Sequence, residues 1–257
     1  MTAPPFSTSR LLETDGVSHG FFSRVGGVSQ GPFASLNTGF GSGDIAGDVA
    51  ENRRRCAHVF SIEPDRLLTP HQTHSPNVAA VDAAWSAAPA RADAIVTRTP
   101  GIAIGVLAAD CMPFLLLEPE AKVIGAAHAG WRGALAGVVE NTVAAMEDLG
   151  AQRANIKAAL GPCLRQPNFE VGLDLLTAFT AKHRESARFF SPGKSDEKRQ
   201  LDLAGFGAWR LQQAGVVQFD DLEQCTLAAP DRYFSFRGAK REGESDYGRN
   251  LSAIMLD

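Results

Sequence analysis

The chain is poor in the residues that build a disulfide framework or a clustered metal site. Four cysteines and six histidines are spread over 257 residues, and no Cys-x-x-Cys or His-x-x-x-His pair occurs. Scattered cysteines predict reduced thiols and a cytoplasmic protein. The lack of closely spaced ligand pairs argues against a structural zinc knuckle, in which such pairs close the metal shell.

Neither positive nor negative residues are present in large excess. The net charge is −4 at pH 7 with 21% charged and 44% hydrophobic residues, an ordinary balance for a globular protein. Nucleic-acid-binding domains usually carry a basic face, so we expect no nucleic-acid partner. Small anions are still possible ligands, because a local arginine cluster can bind them whatever the total charge.

Long apolar runs are absent as well. The N-terminus has no basic patch followed by a continuous apolar segment, so we expect no secretory signal. The most apolar window, Pro100–Pro119, contains Asp110 and Pro113. These interruptions favour two buried strands over a membrane helix, and we expect no membrane partner.

The remaining pattern predicts one domain over residues 1–257 with a mixed α/β (α+β) fold. Short apolar runs predict buried strands at Val17–Arg24, Asp93–Arg98, Ile102–Ala109, Phe114–Leu117, Val123–His128 and Ile156–Leu160. Helical spacing predicts helices after Asp48 through Phe60 and at Gly133–Leu149, Leu173–Lys182 and Leu201–Ala214. We expect mixed sheets stacked in a layered α/β/β/α arrangement. Two polar segments are predicted as mobile loops, Phe189–Lys198 and Phe236–Tyr247.

Two metal-ligand side chains lie at the ends of apolar strands. Cys111 follows one run and His128 ends another, and a Pro or Gly break follows each. Neighbouring strands would bring both residues to one edge, where catalytic groups often gather. His71 or His74, in an upstream loop, could supply a third ligand. Three protein ligands leave one tetrahedral position open, which is the arrangement of catalytic zinc.

Several ordered motifs resemble the YfiH-like family, which is also labelled "multi-copper polyphenol oxidoreductase laccase" and "peptidoglycan editing factor". The resemblance runs from about Gly20 to the C-terminus. Its most specific segments are Ala109-Asp-Cys-Met-Pro113 and His128-Ala-Gly-Trp-Arg-Gly133, with Gln72-Thr-His74, Ser35-Leu-Asn37, Glu51-Asn-Arg53 and Gly248-Arg249 in support.

The resemblance implies a zinc ion bound by His74, Cys111 and His128, with copper as an alternative metal. It also implies a layered α/β fold and phosphorolysis of adenosine, inosine, guanosine and methylthioadenosine, together with deamination of adenosine. The chain departs from the family pattern at Gly238, where a second arginine is expected after Arg237.

The substrates implied are purine nucleosides and phosphate. Arginine suits phosphate because its planar guanidinium pairs with two oxygens, and we expect Arg53 first and Arg24 second in this role. Further substrate contacts are predicted from residues inside the motifs, Asn37, Arg132 and Arg249. Candidate proton shuttles for deamination are Asp110 and Glu170, although a turn-capping role is favoured for Asp110.

Other functions stay open at this point. A His₂Cys set with Met112 as an axial ligand would suit a blue-copper oxidase, but a laccase needs more histidines. Cys111 as nucleophile and His128 as base would suit a cysteine hydrolase that edits cell-wall precursors. A binding module without catalysis is the least favoured, because three ligands leave an open metal position. We expect a monomer or a weak homo-oligomer.

Overall fold

The structure is a computed structural model that describes residues 3–257. Within these residues it has six α-helices: α1 (Ala46–Val59), α2 (Trp131–Ala136), α3 (Val138–Asp148), α4 (Leu173–Lys182), α5 (Leu203–Gln213) and α6 (Phe236–Glu242). The strands are β1 (Phe6–Ser7), β2 (Val17–Phe22), β3 (Leu67–Leu68), β4 (Val78–Ala80), β5 (Ala94–Thr97), β6 (Ala103–Ala108), β7 (Met112–Glu118), β8 (Val123–Ala129), β9 (Lys157–Leu160), β10 (Glu170–Gly172), β11 (Phe190–Pro192), β12 (Lys198–Leu201), β13 (Gln218–Asp221) and β14 (Asn250–Leu256).

Two mixed sheets stack face to face. The first has the strand order β1-β2-β14-β6-β3, and the second has the order β13-β9-β7-β8-β5-β4. Consecutive strands β6 and β7 belong to different sheets, so the chain crosses from one sheet to the other between Ala108 and Met112. A third, three-stranded sheet has the order β10-β12-β11.

Side-chain alternation explains the layering. On β14, Ile254 and Leu256 pack between the two sheets, whereas Leu251, Ala253 and Met255 pack with helix α1 on the outer face. Successive strand residues point to opposite faces, and both faces of this strand are apolar, so both are covered. Helices α2, α3 and α5 cover the outer face of the second sheet.

This arrangement confirms the predicted layered α/β/β/α fold with mixed sheets. The apolar window Pro100–Pro119 forms β6 and β7, as predicted. Among residues 3–257, no helix combines the length and apolar character needed to cross a bilayer.

Three local predictions were wrong. The helix predicted over Gly133–Leu149 is two helices, α2 and α3, because Gly137 takes a left-handed φ of 101° between them. The predicted loop Phe189–Lys198 contains β11, which pairs with β12 through Ser191 and Gln200. The predicted loop Phe236–Tyr247 begins with α6, whose N-terminus is capped by the Ser235 side chain accepting from Gly238 N–H.

Candidate metal centre

The loop that carries His74 is held by one buried carboxylate. Asp93, at the start of β5, accepts backbone N–H groups of Thr73 at 3.0 Å, His74 at 2.9 Å and Ser75 at 2.6 Å. The Ser75 hydroxyl donates to the same carboxylate at 2.8 Å. His74 has a left-handed φ of 59°, which is uncommon outside glycine. The Asp93 hydrogen bonds therefore fix the unusual turn that presents the His74 ring.

His128 is fixed by the same carboxylate. It lies on β8, directly opposite Pro113 of β7, and its Nδ1 lies 2.9 Å from Asp93 Oδ1. Because Nδ1–H donates its hydrogen bond to Asp93, Nε2 is left as the ligand nitrogen. Burial alone would raise the pKa of Asp93, but hydrogen bonds from His128 and Ser75 hold it well below its usual range.

Cys111 lies in the crossover between the two sheets. Its neighbour Asp110 has a φ of 87° and a buried carboxylate. That carboxylate accepts the Thr226 hydroxyl at 2.6 Å, the Ser235 hydroxyl at 2.7 Å and Arg237 N–H at 2.6 Å. With these donors, Asp110 anchors the crossover to the C-terminal segment, which supports the turn-capping role over proton transfer. Cys111, the next residue, is only partly buried.

The three predicted ligands come together. One ligand atom from each of His74, Cys111 and His128 lies within 4.8 Å of the other two. The His74 Nε2 to Cys111 Sγ distance is 3.9 Å, close to the roughly 3.6 Å edge that tetrahedral zinc bond lengths imply. A Cβ at Gly130 would lie 2.8 Å from the His74 ring and 2.9 Å from the Cys111 sulfur, so a side chain there would push against both ligands.

The charges of the three ligands suit a metal ion. Burial alone would raise the pKa of the Cys111 thiol, but the charge of His128 and hydrogen bonds from His128 and His74 lower it to about 6. Burial likewise opposes the charged form of His128, yet the Cys111 thiolate and the Asp93 carboxylate raise its pKa to about 9. Both shifts favour a thiolate beside an imidazolium when no metal is bound, and a cation can replace the imidazolium proton. The donor set of one thiolate and two imidazoles fits zinc.

The centre opens into a cavity of about 370 Å³, within the size range of small-molecule sites. Arg53 lines this cavity and is buried, and burial lowers the pKa of its guanidinium to about 10. Its N–H groups donate to Leu67 O at 2.7 Å and, more weakly, to Thr38 O and the Thr69 hydroxyl at 3.4 Å. Among residues 3–257 no carboxylate pairs with Arg53. An arginine in this setting can accept an anionic ligand.

Arg249 also lines the cavity. Its guanidinium lies 4.1 Å from the Tyr247 ring centroid and pairs with Asp246 at 3.0 Å. Asn37 is buried below it and accepts Arg249 N–H at 3.0 Å and Gly39 N–H at 3.1 Å. Asn37 therefore shapes the cavity wall through the backbone.

Two predicted substrate residues lie elsewhere. Arg24 donates to Ala34 O and Pro230 O and covers the Phe234 ring. It lines a separate cavity of about 280 Å³. Arg132 is exposed, with its guanidinium 4.3 Å from the Trp131 ring. The structure thus groups Arg53 and Arg249 with the three ligands and leaves Arg24 and Arg132 outside this cavity.

Other chemically suggestive residues also lie apart from the centre. Met112 is fully buried in the core beside Gly207, where it packs away from the cavity. Glu170 accepts Lys194 N–H at 3.2 Å on the three-stranded sheet. A larger depression of about 490 Å³ contains one histidine, His19, whose Nε2 accepts Ser9 N–H.

The sequence argument missed Asp93 as a member of the centre. The only available signal was its place in the Arg91-Ala-Asp-Ala94 segment at the start of a buried strand. It also gave no role to Phe40 and Tyr247, which line the cavity. His71 lines the cavity too, but it is outside the group of three ligands.

Stacked mixed sheets and an open three-ligand centre define a layered α/β protein with a candidate catalytic metal site. The chain belongs to the family described as "multi-copper polyphenol oxidoreductase laccase", which matches residues 18–257. This confirms the resemblance inferred from the motifs.

Named relatives are similar over most of the chain. The purine nucleoside phosphorylase Cgl2154/cg2365 of Corynebacterium glutamicum is 37% identical and covers 92% of this chain and 93% of its own length. Purine nucleoside phosphorylase YfiH of Escherichia coli is 36% identical, over 86% of this chain and 88% of its own. The crystal structure of Neisseria meningitidis protein NMB0706 is 34% identical with a TM-score of 0.86, covering 95% of this chain and 96% of that one.

Proposed function

We propose that the chain is a zinc-dependent purine nucleoside phosphorylase that acts on adenosine, inosine, guanosine and methylthioadenosine and also deaminates adenosine. Relatives named as purine nucleoside phosphorylases support the first activity. The observation that carries the proposal is one cavity with two features. It holds three ligand atoms within 4.8 Å of one another and a buried arginine that has no carboxylate partner among residues 3–257.

Phosphorolysis breaks the bond between the base nitrogen and C1′ of the ribose and forms a bond from a phosphate oxygen to C1′. The chain must therefore hold phosphate against the sugar while the base departs. Arg53 is suited to this, because backbone carbonyls at Thr38 and Leu67 fix its guanidinium at the cavity wall. Its positive charge would offset the charge that phosphate brings into the cavity.

His74, Cys111 and His128 would hold the zinc ion. When bound, the ion supplies a Lewis acid with an open coordination position. Asp93 accepts the His128 Nδ1–H and the His74 backbone N–H, so it orients the His128 imidazole and fixes the turn that carries His74. Cys111 contributes a thiolate near neutral pH because its pKa is about 6.

Metal analysis followed by product analysis tests this proposal. We expect about one zinc per chain. With adenosine and phosphate, adenine and ribose 1-phosphate should form, and without phosphate only inosine and ammonia. His74→Ala should lose the metal and both activities. His71→Ala, in the same loop, should keep the metal. A protein that binds zinc but leaves nucleosides unchanged would contradict the proposal.

The Cys111–His128–Asp93 series favours a second candidate, a cysteine hydrolase. A thiolate beside an imidazolium that a carboxylate orients is the arrangement of nucleophilic cysteine enzymes. This enzyme would stay active with a chelator present and lose activity to thiol alkylation. The zinc enzyme should lose activity to the chelator and regain it with zinc, so the two treatments separate the candidates.

A copper oxidase receives less support. The axial ligand considered for a blue-copper centre is the sulfur of Met112, and that side chain packs in the core beside Gly207. Copper loading that gives an intense blue absorption band and oxidation of a phenol would restore this candidate.

A further inference from the structure

One wall of the metal cavity carries an aromatic ring that stays more than half exposed to solvent. Phe40 lies in the loop between Asn37 and α1, lines the cavity and is 59% exposed. Phenylalanine normally gains stability by leaving water. An exposed ring on the wall of a ligand cavity therefore indicates an apolar or aromatic ligand group that covers it.

The exposure is built into the loop. Gly43 N–H donates to Asp246 Oδ2 at 2.6 Å, and the Ser42 hydroxyl donates to Gly39 O at 2.7 Å. A Cβ at Gly39 would lie 3.0 Å from Arg249 Cδ, so the loop packs closely against the opposite segment. These contacts at both ends hold the loop that carries Phe40 beside the cavity.

The ring also has a defined position relative to Arg53. The Arg53 guanidinium carbon lies 5.5 Å from the Phe40 ring centroid. In phosphorolysis, C1′ carries the base and receives the phosphate, so the groups that bind base and phosphate must be neighbours. Phe40 and Arg53 are neighbours of this kind.

The other aromatic ring that lines the cavity, Tyr247, already packs against neighbouring side chains. Tyr247 has the Arg249 guanidinium 4.1 Å from its ring centroid and the edge-on Phe236 ring at 5.2 Å. Phe40 has only the Arg53 contact among the ring and cation contacts of residues 3–257. Phe40 is thus the cavity ring with the more accessible face.

We propose that Phe40 is a specificity-determining residue that stacks on the purine base of the substrate. The inference rests on the proposed function and deepens it, because it assigns the base-binding part of the same cavity. A fused two-ring purine covers more of a phenyl face than a one-ring pyrimidine does, so the stack favours purine over pyrimidine nucleosides.

The test compares Phe40→Ala, Phe40→Leu and Phe40→Trp with the wild type. Alanine should raise KM for adenosine and inosine roughly tenfold to a hundredfold, the range for loss of one base–aromatic stack. The KM for phosphate and the zinc content should stay the same. Leucine should resemble alanine, and tryptophan should restore binding and show fluorescence quenching by adenosine. Phe6→Ala is the matched control, because Phe6 is 41% exposed and lies outside the metal cavity.

The outcomes separate this inference from the proposed function. Equilibrium binding of adenosine to the zinc-loaded protein is measured without phosphate, so it does not depend on turnover. If the wild type binds adenosine but does not cleave it, the proposed function is wrong and the Phe40 comparison still holds. An unchanged KM and purine preference in Phe40→Ala, or wild-type affinity in Phe40→Leu, would overturn the stacking role. Loss of zinc in Phe40→Ala would also overturn it.

Discussion

Two buried aspartates, Asp93 and Asp110, hold the segments that carry the candidate metal ligands, and they do so with different partners. Asp93 accepts three backbone N–H groups and the Nδ1 proton of His128. Asp110 accepts two hydroxyl groups and one backbone N–H. An N–H group can only donate, whereas a hydroxyl can rotate and accept instead. An ionised carboxylate is therefore required at position 93 to accept all of these donors. At position 110, a neutral side chain of similar shape can make most of the same hydrogen bonds.

The largest expected effect is that of Asp93→Asn. Whichever way the asparagine amide is turned, its NH₂ group faces N–H donors of the loop that carries His74. The neutral amide also no longer balances the positive charge of His128. We expect metal affinity to fall tenfold to a hundredfold and the free energy of unfolding of the metal-free protein to fall by about 3 kcal/mol. Competition with a zinc chelator and urea unfolding measure the two quantities. Affinity within twofold of the wild type would show that Asp93 does not orient the ligands.

A smaller effect is expected for Asp110→Asn. The amide oxygen can accept Arg237 N–H while its NH₂ donates to the Thr226 and Ser235 hydroxyls. Asparagine also tolerates the left-handed backbone at this position better than most residues. The unfolding free energy should fall by about 1 kcal/mol, and zinc affinity should change less than in Asp93→Asn. The same two assays apply, and a larger metal loss here than at position 93 would reverse the comparison.

The same contrast explains which residues of the metal centre can be predicted from the sequence. Cys111 and His128 stand out because each adjoins an apolar run beside a Pro or Gly break, and the pairing of β7 with β8 brings them together. His74 was chosen over His71 only through the family resemblance. Asp93 escaped notice because its partners are mostly backbone N–H groups, which carry no residue-specific signal in a sequence.

Elements that form only through contacts with distant parts of the chain were also not predictable from the sequence pattern. Strands β11 and β12 have no alternating apolar pattern and form because β12 pairs with both β11 and β10. The break between α2 and α3 depends on the φ of Gly137, since helical spacing continues across it. Arg53 and Arg24 looked alike as motif arginines, and only the packing shows that one faces the metal cavity and the other does not.

The smallest expected effect is a shift in the pKa of the Cys111 thiol, which should differ between the two aspartate variants. In the metal-free protein the pKa of this thiol is about 6, lowered by the positive charge of His128. Alkylation by a neutral reagent should therefore rise with pH through a midpoint near 6, because only the thiolate reacts. Asp93→Asn removes a charge that keeps His128 protonated, so the midpoint should move to higher pH, whereas Asp110→Asn should leave it in place.

Two of the other cysteines, both buried, provide an internal reference for this measurement. Burial raises the pKa of Cys56 and of Cys163 to about 12, so both should react slowly in every variant. Peptide mass spectrometry after timed alkylation reads each site separately. Two results would contradict this prediction: a wild-type midpoint near the ordinary thiol value of about 8.5, or equal shifts in the two variants. Either result would mean that the Asp93 carboxylate does not lower the pKa of the Cys111 thiol by way of His128. The two aspartates would then differ in their partners but not in their influence on the ligands.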